Sequence, residues 1–290
     1  MAARSPTVRR RRLAAELRRL RGNKTGAQVA QDLGWSTAKI SRYELGQGGF
    51  PPKEVERLLD HYGVTDPRRA QLMDLAVDAN VRGWWEDYAD ILERGYMDFI
   101  GLEAEAASVL QWQVETVPGL LQTREYAHCV NDSVQIVSLT APGIIDRRTD
   151  VRMIRQRVLT EREPPLRLSV TVDESTLLRQ IGGPDVMRAQ LERMAELAEL
   201  PNIELRVLPL RRQSPLMTSS FVIFGFSSAD GGHALGDVVS LENMGEALSV
   251  DGESDTFQYR RLFESLTGAA LSPDESVAKV RQVAHQVWRA

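Results

Sequence analysis

Residues 25–46 read TGAQVAQDLGWSTAKISRYELG. Thr25 carries a hydroxyl suited to capping a helix, and Val29, Ala30 and Leu33 follow it at the spacing of one helical face. Gly34 stands where the chain must turn, because a positive φ is cheap only for glycine. Ser36 is placed to cap a second short helix, whose inward residues are Ile40 and Tyr43. Ala30 is small at the point where the two helices cross. Val29, Leu33, Ile40 and Tyr43 lock the pair at an angle that projects the second helix outward.

Outward from this segment the helical pattern continues on both sides. Leu13, Leu17 and Leu20 form an amphipathic stripe that Gly22 and Asn23 end. Past Tyr43 comes a loop with Gly46, Gly48 and Gly49, then Pro52 in the first turn of a helix. Val55, Leu58, Leu59 and Tyr62 give that helix a clean inward stripe. Residues 1–70 hold 15 Lys and Arg against 7 Asp and Glu, a net of +8. The remainder holds 21 against 33, a net of −12. A basic block joined to an acidic one suggests a polyanion-binding head and a body with another task. The expected division is residues 1–80 as a helix-turn-helix head and 81–290 as a regulatory, dimerisation or partner-binding domain.

The run from Thr25 to Gly46 resembles the XRE (phage repressor and Cro-like) family, and the resemblance extends over residues 7 to about 64. It implies a recognition helix from Thr37 to about Leu45, with Thr37, Ala38, Lys39, Ser41 and Arg42 facing the major groove. Such helices touch base edges with their N-terminal part. Arg42 or Lys39 suits guanine, and Thr37 or Ala38 a thymine methyl. The family often has glutamine at the first residue of its second helix, where it steadies a phosphate, and this chain has Gly26. The Gly26 backbone N–H still suits a phosphate at a helix N-terminus, and Gln28 is a second candidate. Arg19 and Glu44 match a pair that forms an internal salt bridge in the family. Arg4 and Arg9, Arg10, Arg11 and Arg12 read as a basic arm that seeks phosphates, enters a minor groove or remains a disordered tail.

The body reads as mostly helical through residue 160, with a fifth helix opened by Asp66 and Pro67 and a helix-after-helix stretch over 84–130. Strands are expected at 166–172, 203–208, 220–226 and 238–242, with another at 247–250. Pro184 opens a helix bearing Met187, Leu191, Met194 and Leu197 on one face, and Ser272 and Glu275 make a capping box in the last one. Strands gathered late among helices predict an α+β fold. The stretches GWWEDY (83–88), LEAEAASVLQWQVETVPGLLQTREYA (102–127), VVSLEN (238–243) and ALSPDES (270–276) are similar to the C-terminal region of actinobacterial antitoxin-like regulators with an XRE head. That resemblance implies a transcription regulator working with a small co-encoded partner protein.

Enzyme chemistry is not expected. His61, His128, His233 and His285 show no metal-ligand spacing. No phosphate loop or G-x-S-x-G is present. Asp173 and Glu174 read as residues of a helix start rather than an acid pair. Gly182-Gly183 and Gly231-Gly232 read as turns. Trp84, Trp85, Trp112 and Tyr88 read as core before pocket lining, and the single Cys129 as a buried thiol. One cysteine permits no internal disulfide, which fits a reducing cytoplasm. The first residues do not read as a signal peptide, and no stretch reaches the roughly 18 apolar residues of a membrane span. No cofactor is expected. The expected partners are double-stranded DNA, a second copy of the chain and the co-encoded protein. An interaction protein whose DNA binding is autoregulatory remains open beside a signal-responsive regulator.

Overall fold

The computed structural model describes residues 6–133, 140–213, 218–226, 236–243, 246–250 and 253–289; for Pro6, residues 242–243 and 246–249 and Glu253 it describes the backbone alone. Arg4, Gly231, Gly232 and His233 lie outside the described residues. The chain forms two compact units, one ending at Glu86 and the other beginning at Asp87. The fold is α+β, as the pattern of elements predicts.

Among the described residues the first unit holds five α-helices: α1 (Pro6–Arg21), α2 (Gly26–Leu33), α3 (Thr37–Glu44), α4 (Pro52–His61) and α5 (Arg68–Asp78). Their apolar stripes converge on one core, in which Leu13, Leu17, Val29, Ile40, Phe50, Val55, Leu58, Leu59 and Leu72 are essentially inaccessible. Asn80 ties the loop before α4 to the end of α5, accepting the Phe50 N–H at 3.0 Å and donating to the Phe50 carbonyl at 2.7 Å.

Arg9 to Arg12 do not form an arm. They lie inside α1, which begins at Pro6 because the helix buries Val8, Leu13 and Leu17. Arg9 pairs with Asp78, and Arg10 Nε donates to the Ala79 carbonyl at 2.9 Å. A cation there suits the C-terminal end of α5. The Arg19–Glu44 pairing is also corrected. Glu44 is held by Arg21, Nε to Oε1 at 2.6 Å, which ties α1 to α3. Residues two apart on a helix point about 200° apart, so Arg19 and Arg21 face different neighbours. Arg19 bonds Glu16 at 3.0 Å within α1, and the other Glu16 oxygen takes Arg68 at 2.9 Å. Burial pushes the Glu16 carboxyl up, and its bonds to Arg68 and Arg19 more than reverse this, so it lies below its ordinary range.

The second unit is built on a sheet of six strands among the described residues, in the order β3-β2-β1-β4-β5-β6. The strands are β1 (Ser108–Gln113), β2 (Arg167–Asp173), β3 (Ile203–Leu208), β4 (Phe221–Gly225), β5 (Val238–Asn243) and β6 (Glu246–Val250). The helices are α6 (Arg94–Glu105), α7 (Arg124–Ser133), α8 (Pro142–Arg155), α9 (Ser175–Leu178), α10 (Pro184–Leu197), α11 (Glu253–Ala269) and α12 (Pro273–Gln286). β1, β2 and β3 are parallel, and β4 to β6 run antiparallel from β1. Residues 108–113, expected within helix, are therefore a central strand. Buried on both faces, SVLQWQ lacks the alternation that marks a half-exposed strand. Leu110 and Trp112 pack with Phe221, Ile223, Val239 and the α11 residues Phe263 and Leu266. Phe224 meets Phe99 of α6 edge-on at 5.1 Å. The free edge of β3 is covered, since Ser276 of α12 accepts the Val207 N–H at 2.9 Å and the Leu271 N–H bonds the Val207 carbonyl at 2.9 Å.

Between α6 and α8 lies a buried ion pair. Arg155 grips Glu103 with two bonds, at 2.8 and 2.7 Å, with side chains 6% and 3% exposed, and also donates to the Tyr96 hydroxyl. Among the described residues no helix is long and apolar enough to cross a membrane.

Arg21→Ala is expected to destabilise the first unit by about 1–3 kcal/mol, because it leaves the largely buried Glu44 carboxylate without its donor. Arg19→Ala is expected to cost under about 1 kcal/mol, since the side chain is half-exposed and Glu16 keeps Arg68. Urea unfolding of both variants checks the order, and the reverse order would contradict the geometry.

Candidate nucleic-acid interface

The candidate DNA surface is built from backbone caps upward. Thr25 accepts the Gln28 N–H at 3.2 Å while Gln28 Oε1 accepts the Thr25 N–H at 2.8 Å, a reciprocal cap that opens α2. Gly34 ends α2 at φ 68°, and the Trp35 N–H reaches back to the Ala30 carbonyl at 2.8 Å. Ser36 then caps α3 by accepting the Lys39 N–H at 3.3 Å. Val29, Ala30, Ile40 and Tyr43 fill the space between the two helices.

Around this core, Thr37, Ala38, Ser41 and Arg42 are exposed on the outer side of α3, as the spacing predicts. Arg42 has no ion-pair partner among the described residues. Gln28 is exposed, with its carbonyl oxygen used in the cap and its amide nitrogen left for another partner. A Cβ built on Gly26 would sit 3.6 Å from Ile40 Cγ2, an ordinary contact, so the N-terminus of α2 abuts the middle of α3 and has room for a side chain.

Lys39 departs from the expectation of a free cation. Its ammonium pairs with Glu54 of α4 at 2.8 Å and stands 4.1 Å above the Trp35 ring. Arg57 approaches the same ring at 5.2 Å and donates to the Leu33 carbonyl at 2.9 Å. Glu54 also accepts the Tyr43 hydroxyl. Hydrogen bonds from Lys39 and then from Tyr43 hold the Glu54 carboxyl below its ordinary range, and burial first, Glu54 second, raise the Tyr43 phenol. Sequence reading missed this knot because Glu54 is exposed on the helical pattern of α4 and only packing brings it under α3.

The other candidates settle into structural roles. Asp173 accepts the Ser175 N–H at 2.9 Å, and Glu174 pairs with Lys279 at 2.6 Å and accepts the Leu210 N–H at 2.9 Å. Trp85 and Trp112 are each 3% exposed, Trp84 is half-buried against Trp85, and Tyr88 lies beside Arg147. Cys129 is half-buried rather than buried. Gly182 turns at φ 73°. His61 lies by Asp32 and Lys24, and His128 by Asp146. Among the described residues no group of His, Cys, Asp and Glu gathers as a metal site.

Residues 12–72 match a family model described as a helix-turn-helix domain. Residues 96–282 match the model of a domain of unknown function (DUF5753). No curated protein and no solved structure matches the chain.

Arg42→Ala is expected to weaken operator binding by about 1–3 kcal/mol, the loss of one good base contact, at unchanged melting temperature. Lys39→Ala is expected to lower both affinity and melting temperature, because it frees Glu54 and uncovers Trp35. Anisotropy titrations and thermal melts of the two variants separate these outcomes, and wild-type affinity in both would refute the assignment of α3. Glu54 titrates lower folded than unfolded, so its link is at full strength above the unfolded carboxyl pKa of about 4.3 and fades as pH falls through the folded value. The stability gap between wild type and Glu54→Gln should therefore narrow below about pH 4; a gap constant from pH 7 to pH 3 would contradict the link.

Proposed function

The chain belongs to the DUF5753 family and carries a DNA-binding helix-turn-helix head, and we propose that it is a sequence-specific, non-enzymatic transcription regulator of the XRE type, acting in the cytoplasm. The observation that carries this reading is the outer side of α3. Thr37, Ala38, Ser41 and Arg42 stand exposed on a helix whose inner side is fixed by Ile40 and Tyr43. Gly26 and Gln28 lie beside it at a helix N-terminus, where backbone N–H groups suit a phosphate. Arg9 and Arg10, engaged with α5, count for less in this reading than the α3 side chains.

A head this small covers little DNA, so the reading includes two copies on a palindromic operator, joined through the second unit. The acidic second unit adds no phosphate contacts of its own. It contributes by raising the effective concentration of the second head at its half-site.

A second reading is that of an antitoxin-like protein that binds a small co-encoded partner and regulates its own operon. One feature favours it: an open cleft of about 730 Å³ at the C-terminal ends of β1 and β2, edged by Trp112, Val114, Ile181 and the exposed Leu210. Such a cleft suits an apolar side chain of a protein partner.

Genome-wide mapping of bound sites supplies the operator. On it, log affinity is expected to fall linearly with log salt, as released counterions require, and sedimentation should give two chains per duplex. One chain per duplex, free and bound, would refute the dimer; no enriched sites would refute the regulator.

A further inference from the structure

On the face of β1 away from α11, where a central strand ordinarily presents apolar side chains, this chain presents Gln111 and Gln113. They line a cavity of about 110 Å³ together with Gln122, Arg152 and the Glu103–Arg155 pair. Gln111, Gln113 and Gln122 are only 8%, 5% and 3% exposed. Buried amides on a core strand cost stability unless every donor and acceptor is met.

Most of the hydrogen bonds can be accounted for. Gln122 donates to the Val117 carbonyl at 2.7 Å and accepts from Arg152 at 2.9 Å, so both its ends are used. Arg155 is committed to Glu103 and to Tyr96. Gln111 Nε2 donates to Gln113 Oε1 at 2.9 Å. This leaves the Gln113 amide nitrogen and the Gln111 amide oxygen without partners among the described residues. Exchanging the ends of both amides reverses this donor and acceptor but removes neither. The Nε of Arg152 lacks an acceptor too, but it is wholly enclosed and out of a bound molecule's reach. The two free glutamine ends keep accessible surface in the cavity their side chains line, so a bound molecule can reach them.

We propose that this cavity binds a small neutral molecule carrying a carbonyl and an N–H on one edge, a carboxamide or a lactam. The N–H bonds the free oxygen of Gln111, and the carbonyl takes the Gln113 amide. The volume matches about three or four waters at about 30 Å³ each, which limits the bound group to a small ring or side chain. The inference is independent of the DNA reading, because its test contains no DNA.

Pyrrolidinone, a small lactam, serves as the probe, and cyclopentanone is its counterpart without the N–H. In titrations of the ¹⁵N-labelled full chain, pyrrolidinone is expected to shift the Gln111 and Gln113 side-chain amide signals saturably. Cyclopentanone should bind at least tenfold more weakly. Gln113→Glu turns the free donor into an acceptor at nearly constant shape, so it should lose pyrrolidinone and gain iminopyrrolidine, whose edge only donates. No saturable shift in the wild type, or equal binding of pyrrolidinone and cyclopentanone, would overturn the proposal, and neither comparison depends on a variant folding. Unchanged pyrrolidinone binding by a folded Gln113→Glu would overturn it as well.

Discussion

The carboxylate of Glu54 receives the Tyr43 hydroxyl from the inner side of α3 and the Lys39 ammonium from its flank. A helix of eight residues has little stability of its own, since nucleation costs more than so few bonds return. What holds α3 in place is therefore its packing through Ile40 and Tyr43, this polar link to α4 and the Arg21–Glu44 pair to α1. With the inner side so fixed, the outer residues present a constant surface, which preorganised base contact requires. The aromatic ring of Trp35, under Lys39 and beside Arg57, closes the same junction from the turn.

The second unit depends on a comparable constraint in β1. That strand is parallel to β2 on one side and antiparallel to β4 on the other. It thus joins a half with helical crossovers to a half made of consecutive antiparallel strands. Its two faces serve different ends. Leu110 and Trp112 build the apolar layer under α11, while Gln111 and Gln113 face a polar interior anchored by Glu103 and Arg155. A buried ion pair of this kind is weak evidence for added stability, but removing one partner alone costs about 3–5 kcal/mol. It fixes α6 against α8 and so shapes the polar cavity.

The amino-acid sequence by itself determined the head. Caps at Thr25 and Ser36, the turn at Gly34 and the stripes of α1, α2, α3 and α4 are all properties of residues within a few positions of one another, and local chemistry is what sequence displays. Strands β2, β3, β4, β5 and β6 were likewise legible from alternation or β-branched runs. Tertiary structure alone decided the rest. β1 is recognisable only through its partners, because a strand covered on both faces carries no alternation and its pairing residues lie 59 to 117 positions away. Glu44 belongs to Arg21 and not Arg19, and Arg9 and Arg10 belong to the end of α5, because helix phase and packing, not sequence proximity, choose the partner of a charge. The buried amides of Gln111 and Gln113 read as ordinary polar residues until the sheet encloses them, and the enclosure is what turns their spare hydrogen bonds into a site.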